Sequence, residues 1–281
     1  MGRAAPLILG FSGLGATPRR VRASVASRVV VVTGASRGIG REMSLRLAGV
    51  GAQVIGIART ASALKDLEEG IGAGGGVFCG LAGDLRDVAW AEQTGRAIVE
   101  KWGSPVLLIS NAGHSIRRPL ADYWDRFHDI ARTAGVNYLG AVALALPILQ
   151  AMVKAGEGHL LTVSSTSVDI HLPGWSAYCA SKGAFEAWLR SVAPELRAAG
   201  VAVTSVHLPR AATAMSAPTA QTYHLPELSI NQAADILCRA VVTRPRFVIP
   251  WWARLGAQAS QISPGLLQRG WELAWRAGVR P

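Results

Sequence analysis

Acidic residues are in short supply in this chain: 18 Asp and Glu stand against 29 Lys and Arg in 281 residues, a formal net charge of +11 at pH 7. An excess of that size suits a nucleic acid, a membrane surface or an anionic substrate, and charge alone does not choose among them. The basic residues are scattered, with no run and no aromatic-interleaved strand motif, which argues against a nucleic-acid module. Cysteine is rarer still. Cys79, Cys179 and Cys238 lie far apart without Cys-x-x-Cys spacing, so neither a disulfide framework nor a zinc site is indicated, and a reducing cytoplasm is the default compartment. The six histidines include no pair at helical ligand spacing, so no metal is expected. Long apolar runs are missing too. The longest, Ala141 to Val153, is interrupted by Pro147 and Gln150 and falls short of the roughly 20 residues that cross a bilayer, so no transmembrane helix is expected.

Half of the residues are hydrophobic, enough for one substantial core, and no seam divides the pattern. Residues 1–28 form a basic extension expected to lie outside the fold. Within it Ala4 to Leu14 is a short apolar stretch, a poor secretory signal and a better loosely packed arm. From residue 29 on, β-branched runs alternate with helix-compatible stretches, the rhythm of a parallel α/β sheet. Strands are predicted at Val29–Thr33, Gln53–Ala58, Val77–Leu81, Val106–Ser110, His159–Ser164, Val201–His207 and Phe247–Ile249. Helices are predicted at 39–48, around 62–69, at 86–101, as two segments within 120–153, at 177–198 and at 230–243, with a kink or break near Pro194. The architecture is a single-domain, doubly wound parallel sheet of about seven strands flanked by helices over residues 29–250.

In such a sheet the ligand crevice lies beyond the carboxyl ends of the strands. Gly34 to Gly40 follow the first predicted strand, Arg59 the second, Asp84 the third, Asn111 the fourth, Ser165 the fifth and Pro209 the sixth. The turn Thr33-Gly34-Ala35-Ser36-Arg37-Gly38-Ile39-Gly40 leads from a buried strand into a helix, where glycines let the backbone approach a pyrophosphate and the helix N-terminus faces its charge. A carboxylate at the end of the second strand would hold ribose hydroxyls and repel a 2′-phosphate, but Ala58 and Arg59 stand there. Arg59 and Arg37 predict a clamp on that phosphate, hence NADPH/NADP+ over NADH. Tyr178 and Lys182 sit four apart on a predicted helix, with Ser165 thirteen residues before the tyrosine. The ammonium is expected beside the phenol, lowering its pKa from about 10 towards neutrality and fitting it to exchange a proton with a substrate oxygen.

Taken together, Thr-Gly-x-x-x-Gly-x-Gly at 33–40, Asp84-Leu85, Asn111-Ala112-Gly113, Asn137, Ser165 and Tyr178-x-x-x-Lys182 resemble the short-chain dehydrogenase/reductase family, whose fold is of the Rossmann type, over residues 29 to about 250. The resemblance implies that Tyr178 exchanges the proton with a carbonyl oxygen and that Ser165 donates a hydrogen bond to it. It implies that Lys182 holds the nicotinamide ribose and biases Tyr178 towards ionisation, and that Asn137 positions a water linking Lys182 to solvent. Asp84 would face the adenine, and Asn111 to Gly113 would line the cofactor cleft. A narrower likeness lies in Asn111-Ala-Gly-His-Ser-Ile-Arg-Arg118, Asp125-Arg-Phe-His-Asp129, and Val206-His-Leu-Pro209 through Thr213, Met215 and Ala217-Pro218-Thr219. It points to a bacterial branch containing long-chain fatty acyl-CoA reductases and ketoreductases of long lipid chains. Two departures stand out: Ser110 replaces a common asparagine, and Arg210 stands where the wider family has glycine. Arg210 either meets an anionic group of substrate or cofactor, or points outward.

Residues 251–281 form a basic tail with Trp251, Trp252, Trp271 and Trp275 among Arg254, Arg269, Arg276 and Arg280. Packing against the domain or a partner subunit is the expectation, with a lid over a lipid substrate or a peripheral contact with a membrane surface as alternatives. The resemblance implies a homodimer or homotetramer paired through helices near 137–153 and 177–198. The overall expectation is an NADPH-dependent carbonyl reductase turning a ketone into a secondary alcohol, reversibly, on a hydrophobic small molecule or acyl thioester. An acyl-CoA reductase releasing an aldehyde is the first alternative; a non-catalytic cofactor-binding protein or a peripheral membrane protein is the second.

Overall fold

The computed structural model describes residue 11 and residues 16–217 and 227–278. Apart from Phe11, the stretch Ala4 to Leu14 lies outside them, as do Pro218, Thr219 and Arg280. Four consecutive valines begin the first strand, β1 (Val29–Thr33), because β-branched side chains favour the extended backbone. Successive side chains of β1 point to opposite faces: Val30 and Val32 enter one core layer and Val31 the other. Both layers are dry, which is why the strand reads as a continuous apolar run rather than an alternation.

The remaining strands are β2 (Gln53–Ala58), β3 (Val77–Ala82), β4 (Leu107–Ser110), β5 (Gly158–Ser165), β6 (Val201–Leu208) and β7 (Phe247–Val248). All pair in parallel, in the order β3-β2-β1-β4-β5-β6-β7. The reversal of direction falls between β1 and β4, where Val31 faces Ile55 on one side and Leu108 on the other. Crevices form at such switch points. One face is covered by α2 (Gly38–Gly49) and α9 (Ile230–Thr243), the other by α4 (Val88–Trp102), α6 (Gly140–Ala155) and α8 (Ser176–Ala198). Helix α3 (Ala61–Ala73) closes the β3 edge through Leu64 and Leu67.

Three elements differ from expectation. Helix α1 (Pro18–Val25) lies within the segment expected outside the fold, yet Val21 and Val25 are buried in the core against α2 and α9. Its arginines had masked an apolar pair at i, i+4. Pro194 does not break α8, which runs through it; the proline is exposed, so water can satisfy the carbonyl it frees. Two separate helices were expected within 120–153. Instead a short 3-10 turn (Leu120–Asp122) precedes α5 (Phe127–Ala134), which continues through a π-helical turn (Gly135–Leu139) into α6. That run, Phe127–Ala155, is by length and composition apolar enough to cross a membrane, but more than half of its most apolar window is buried inside the fold. The tail folds as α10 (Trp251–Ile262) and α11 (Pro264–Arg276), with α10 packed on α7 (Ser167–Ile170).

Candidate active site

The glycine turn is built by two backbone requirements. Gly34 and Gly38 adopt φ of +69° and +56°, in the left-handed region that a Cβ resists. Gly40 has no room instead: a Cβ there would fall 2.2 Å from the Gly34 carbonyl oxygen and 2.6 Å from Asn111 Nδ2. Thr33 ties this turn to the next crossing of the sheet. Its Oγ1 accepts the amides of Asn111 and Ala112, each at 2.9 Å, while Asn111 Nδ2 donates to the Thr33 carbonyl at 2.9 Å. A cleft opens above, lined by Gly34, Arg37, Gly38, Ile39 and Asn111 to Gly113, and closed from the other side by Thr213, Ala214 and Met215. Thr213 folds over the turn, its Cγ2 3.4 Å from the Cβ position of Gly38. Ala214 and Met215 carry no chemical signature by which sequence could have singled them out as lining. These features fit a dinucleotide: amides at a helix N-terminus, a surface only glycine permits, and an exposed Arg37 in the lining.

The other expected cofactor contacts divide. Ser36 and Pro209 sit, partly exposed, beside the cleft-forming segments. Leu85 does not present its side chain; it is buried in the core layer shared with α6. Asp84 is held by Arg86, whose Nε and Nη2 donate to Oδ2 at 2.8 and 2.6 Å while its amide donates to Oδ1 at 2.9 Å. Burial would raise the Asp84 pKa, but these bonds, with Arg59 nearby, lower it. Arg86 was not singled out from sequence, although its place two residues after the aspartate is the spacing that lets one side chain cap another. Arg210 is charge-paired, its Nε 3.1 Å from Glu227 Oε2 and its side chain only 20% exposed, so it does not point outward into solvent and its charge is met within the chain.

Ser165 ends β5, and Tyr178 and Lys182 lie on successive turns of α8, so two elements bring the triplet together. Tyr178 is hydrogen-bonded with Ser165, whose Oγ also accepts the Ser167 amide at 3.2 Å. Lys182 is buried, and its Nζ donates to the Val163 carbonyl at 2.9 Å. The expected acidified phenol is not what this arrangement produces. Burial pushes Tyr178 up to about 12 against the pull of Ser165, and burial drops Lys182 to about 8 despite Glu186. One of the ammonium's protons goes to the Val163 carbonyl, and desolvation is the largest influence on both groups.

Asn137 stands on the π-helical turn, the kind of insertion that recurs at functional sites. Its Nδ2 donates to the His114 carbonyl and to Ser181 Oγ, both at 2.9 Å, and its Oδ1 accepts the His114 amide at 2.7 Å. A Cβ on Gly113 would sit 3.4 Å from Asn137 Oδ1 and 3.6 Å from Lys182 Nζ, so all three meet at one point. Beneath them lies a buried ionic network. His207 Nδ1, on β6, lies 2.8 Å from Asp169 Oδ2 on α7 and Nε2 lies 3.5 Å from Glu186 Oε1 on α8, one turn from Lys182. Burial opposes charge on His207, but the two carboxylates win and lift it to about 9. Sequence gave these histidine and acidic positions no pattern, because their partners come from three separate elements.

A family model described as short chain dehydrogenase matches residues 28–224. A fatty acyl-CoA reductase of Acinetobacter baylyi is 36% identical over 245 residues, covering 87% of this chain and 83% of the relative. A fatty acyl-CoA reductase of Mycobacterium tuberculosis is 34% identical over 222 residues, covering 79% and 76%. Among solved structures, a metagenomic short-chain oxidoreductase in complex with NADP aligns with a TM-score of 0.68 at 26% identity, over 81% of this chain and 96% of that one. A short-chain type dehydrogenase/reductase from Mycobacterium marinum shares the fold, with a TM-score of 0.73 at 23% identity over 83% and 96%. With the glycine turn, the Ser165, Tyr178 and Lys182 cluster and these likenesses in agreement, the chain belongs to the short-chain dehydrogenase/reductase family and is an oxidoreductase that uses a nicotinamide cofactor.

Proposed function

We propose that the protein is an NADPH-dependent reductase of the carbonyl group of a hydrophobic, acyl-chain substrate, converting a ketone into a secondary alcohol in a reversible reaction. The observation that supports this reading is the hydrogen bond between Ser165 and Tyr178, the latter on the same helix as the buried Lys182, whose Nζ lies 3.6 Å from the Cβ position of Gly113 in the cleft lining. When bound, the nicotinamide supplies hydride. Negative charge then grows on the substrate oxygen, and two hydroxyls in place beforehand stabilise it most where it is greatest. Ser165 donates a hydrogen bond to that oxygen, Tyr178 gives up its proton to it, and the Lys182 ammonium stabilises the phenolate left behind until a proton from solvent restores the phenol. A phenol held up to about 12 is protonated at neutral pH, the state a reductive proton donor requires. Asn137 fixes the loop that carries Gly113, and Arg37 and Arg59 select NADPH by meeting its 2′-phosphate.

A second reading, reduction of an acyl-CoA thioester to an aldehyde with release of CoA, is favoured by the names of the two fatty acyl-CoA reductases among the relatives. NADPH oxidation measured across matched long-chain ketones, 3-oxoacyl thioesters and acyl-CoAs separates the two. Alcohol formed without free thiol supports the first reading. Stoichiometric release of CoA supports the second, and no oxidation with any panel member removes both.

A further inference from the structure

The two tail helices leave apolar side chains in water on the side away from the domain. On α10, Ala253 is buried and Gly256 rests on Ile170 of α7, at 3.5 Å from its Cβ position. The opposite side carries Trp251, Leu255 and Ile262, at i, i+4 and i+11, which are 61%, 56% and 85% exposed. On α11, Leu267, Trp271, Ala274 and Trp275 are partly buried, while Leu266 and Leu273, at i and i+7, are 68% and 65% exposed. Arginines flank these stripes rather than oppose them. Arg254 lies one helical turn from Trp251, Arg269 between Leu266 and Leu273, and Arg276 one turn beyond, against a single acidic residue, Glu272, in residues 251–276. No residue of α11 is buried, so core packing does not account for it, and its single acidic residue, Glu272, is ion-paired with Arg276.

We infer that α10 and α11 form a docking face for an anionic lipid surface, seated by Trp251, Leu255, Ile262, Leu266 and Leu273 in the headgroup boundary with Arg254 and Arg269 against lipid phosphates. Charge complementarity selects this occupant over a second copy: two such faces would bring like-charged arginines together in a chain of net charge +11, whereas an anionic bilayer answers them. The mixture of tryptophan, leucine and arginine on one face also suits a boundary that is apolar on one side and wet on the other. Helix α10 packs on α7, the turn that directly follows Ser165. Resting on the acyl-chain reading above, that seating would bring the site's mouth to the surface in which such chains reside. The seating itself is read without reference to catalysis.

The test uses the full chain in co-sedimentation with vesicles of phosphatidylcholine alone and of phosphatidylcholine mixed with phosphatidylglycerol. Binding is expected only to the anionic vesicles and weakens with added salt. The double variant Leu266→Ser/Leu273→Ser, at exposed positions that should leave the far-ultraviolet spectrum and melting temperature unchanged, binds more than about tenfold more weakly. Arg269→Gln, similarly exposed, weakens binding about fivefold. Failure of the native chain to sediment with anionic vesicles overturns the inference. So does equal binding by the leucine variant, or a variant whose mass by light scattering falls while its vesicle binding stays intact, which would assign the face to a second copy.

Discussion

Asn137 grips His114 by both of its amide atoms, accepting the backbone N–H at 2.7 Å and donating to the backbone carbonyl at 2.9 Å, as one strand does to another. The loop after β4 is thus held to the helix run on α8's side of the crevice by a single side chain. Its second N–H goes to Ser181, so both donors are committed within the protein. Asn137→Ala strands two backbone groups and is expected to cost about 1–3 kcal/mol of stability. It also lowers kcat, because Gly113 shifts relative to Lys182. Chemical denaturation paired with steady-state rates checks this, and full stability with reduced kcat would confine the residue's role to chemistry.

Tyr178→Phe removes the proton donor without altering the cleft. Turnover is expected to fall by about 10²–10⁴-fold with cofactor affinity largely preserved, measured by fluorescence titration. In the native enzyme the reductive kcat/KM is expected to decline as pH rises through about 8, where Lys182 loses its proton, well before Tyr178 ionises near 12. A flat profile from pH 7 to 10 would detach Lys182's charge from the reaction.

Arg37, which lines the cleft, and Arg59 are both exposed, so their loss should not disturb folding. Each Arg→Ala change is expected to raise KM for NADPH by roughly tenfold or more, since a hydrogen bond to a charged group contributes about 1.5–3 kcal/mol. NADH kinetics should barely change. Equal effects on both cofactors would show that the arginines do not meet the 2′-phosphate.

The His207 network ties stability to pH. His207 is lifted from an ordinary value of about 6.5 to about 9, so its contribution is complete below the ordinary value and fades as pH rises through 9. Glu186 is opposed by burial but held down to about 2 by His207, Ser205 and Arg190, so its contribution is lost only as pH falls through that value. The melting temperature is therefore expected to drop between pH 6.5 and 9. His207→Gln should abolish that slope and, by leaving two carboxylates without their buried partner, cost about 3–5 kcal/mol at pH 6. An unchanged slope in the variant would place the pH dependence elsewhere.

Gly40→Ala is the sharpest test of the turn. Its methyl would meet the Gly34 carbonyl at 2.2 Å, a backbone atom with nowhere to go. The variant should be less stable by about 1–3 kcal/mol and should lose cofactor binding by calorimetry. Retained affinity would mean that the turn is softer than its packing suggests.

Much of this was legible in the sequence because the fold's signals are local. The runs at Val29–Thr33 and Gln53–Ala58 match β1 and β2 residue for residue, since a strand dry on both faces leaves a continuous apolar word. The glycine turn was legible for the same reason: its φ values and close contacts permit little else. What escaped depends on partners distant in sequence. The phenol's pKa could not be read from the Tyr178 and Lys182 spacing, because it is set first by burial, with Ser165, thirteen residues away, pulling the other way. Helix α1 was hidden by its arginines, which lie on the outside of an otherwise ordinary anchoring turn. The π turn at Asn137 has no sequence signature, since its extra residue shows only as an alteration of hydrogen-bond register.

The clamp by which Thr33 holds Asn111 spans 78 residues of chain and joins the two strands on either side of the switch point. Helices can therefore form early while the cleft does not yet exist, because its floor closes only when β1 and β4 have found each other across that interval. Recovery of cofactor binding after dilution from denaturant should lag behind recovery of the helical signal. Competence to bind the cofactor is therefore expected to arrive with that strand pairing rather than with the helices.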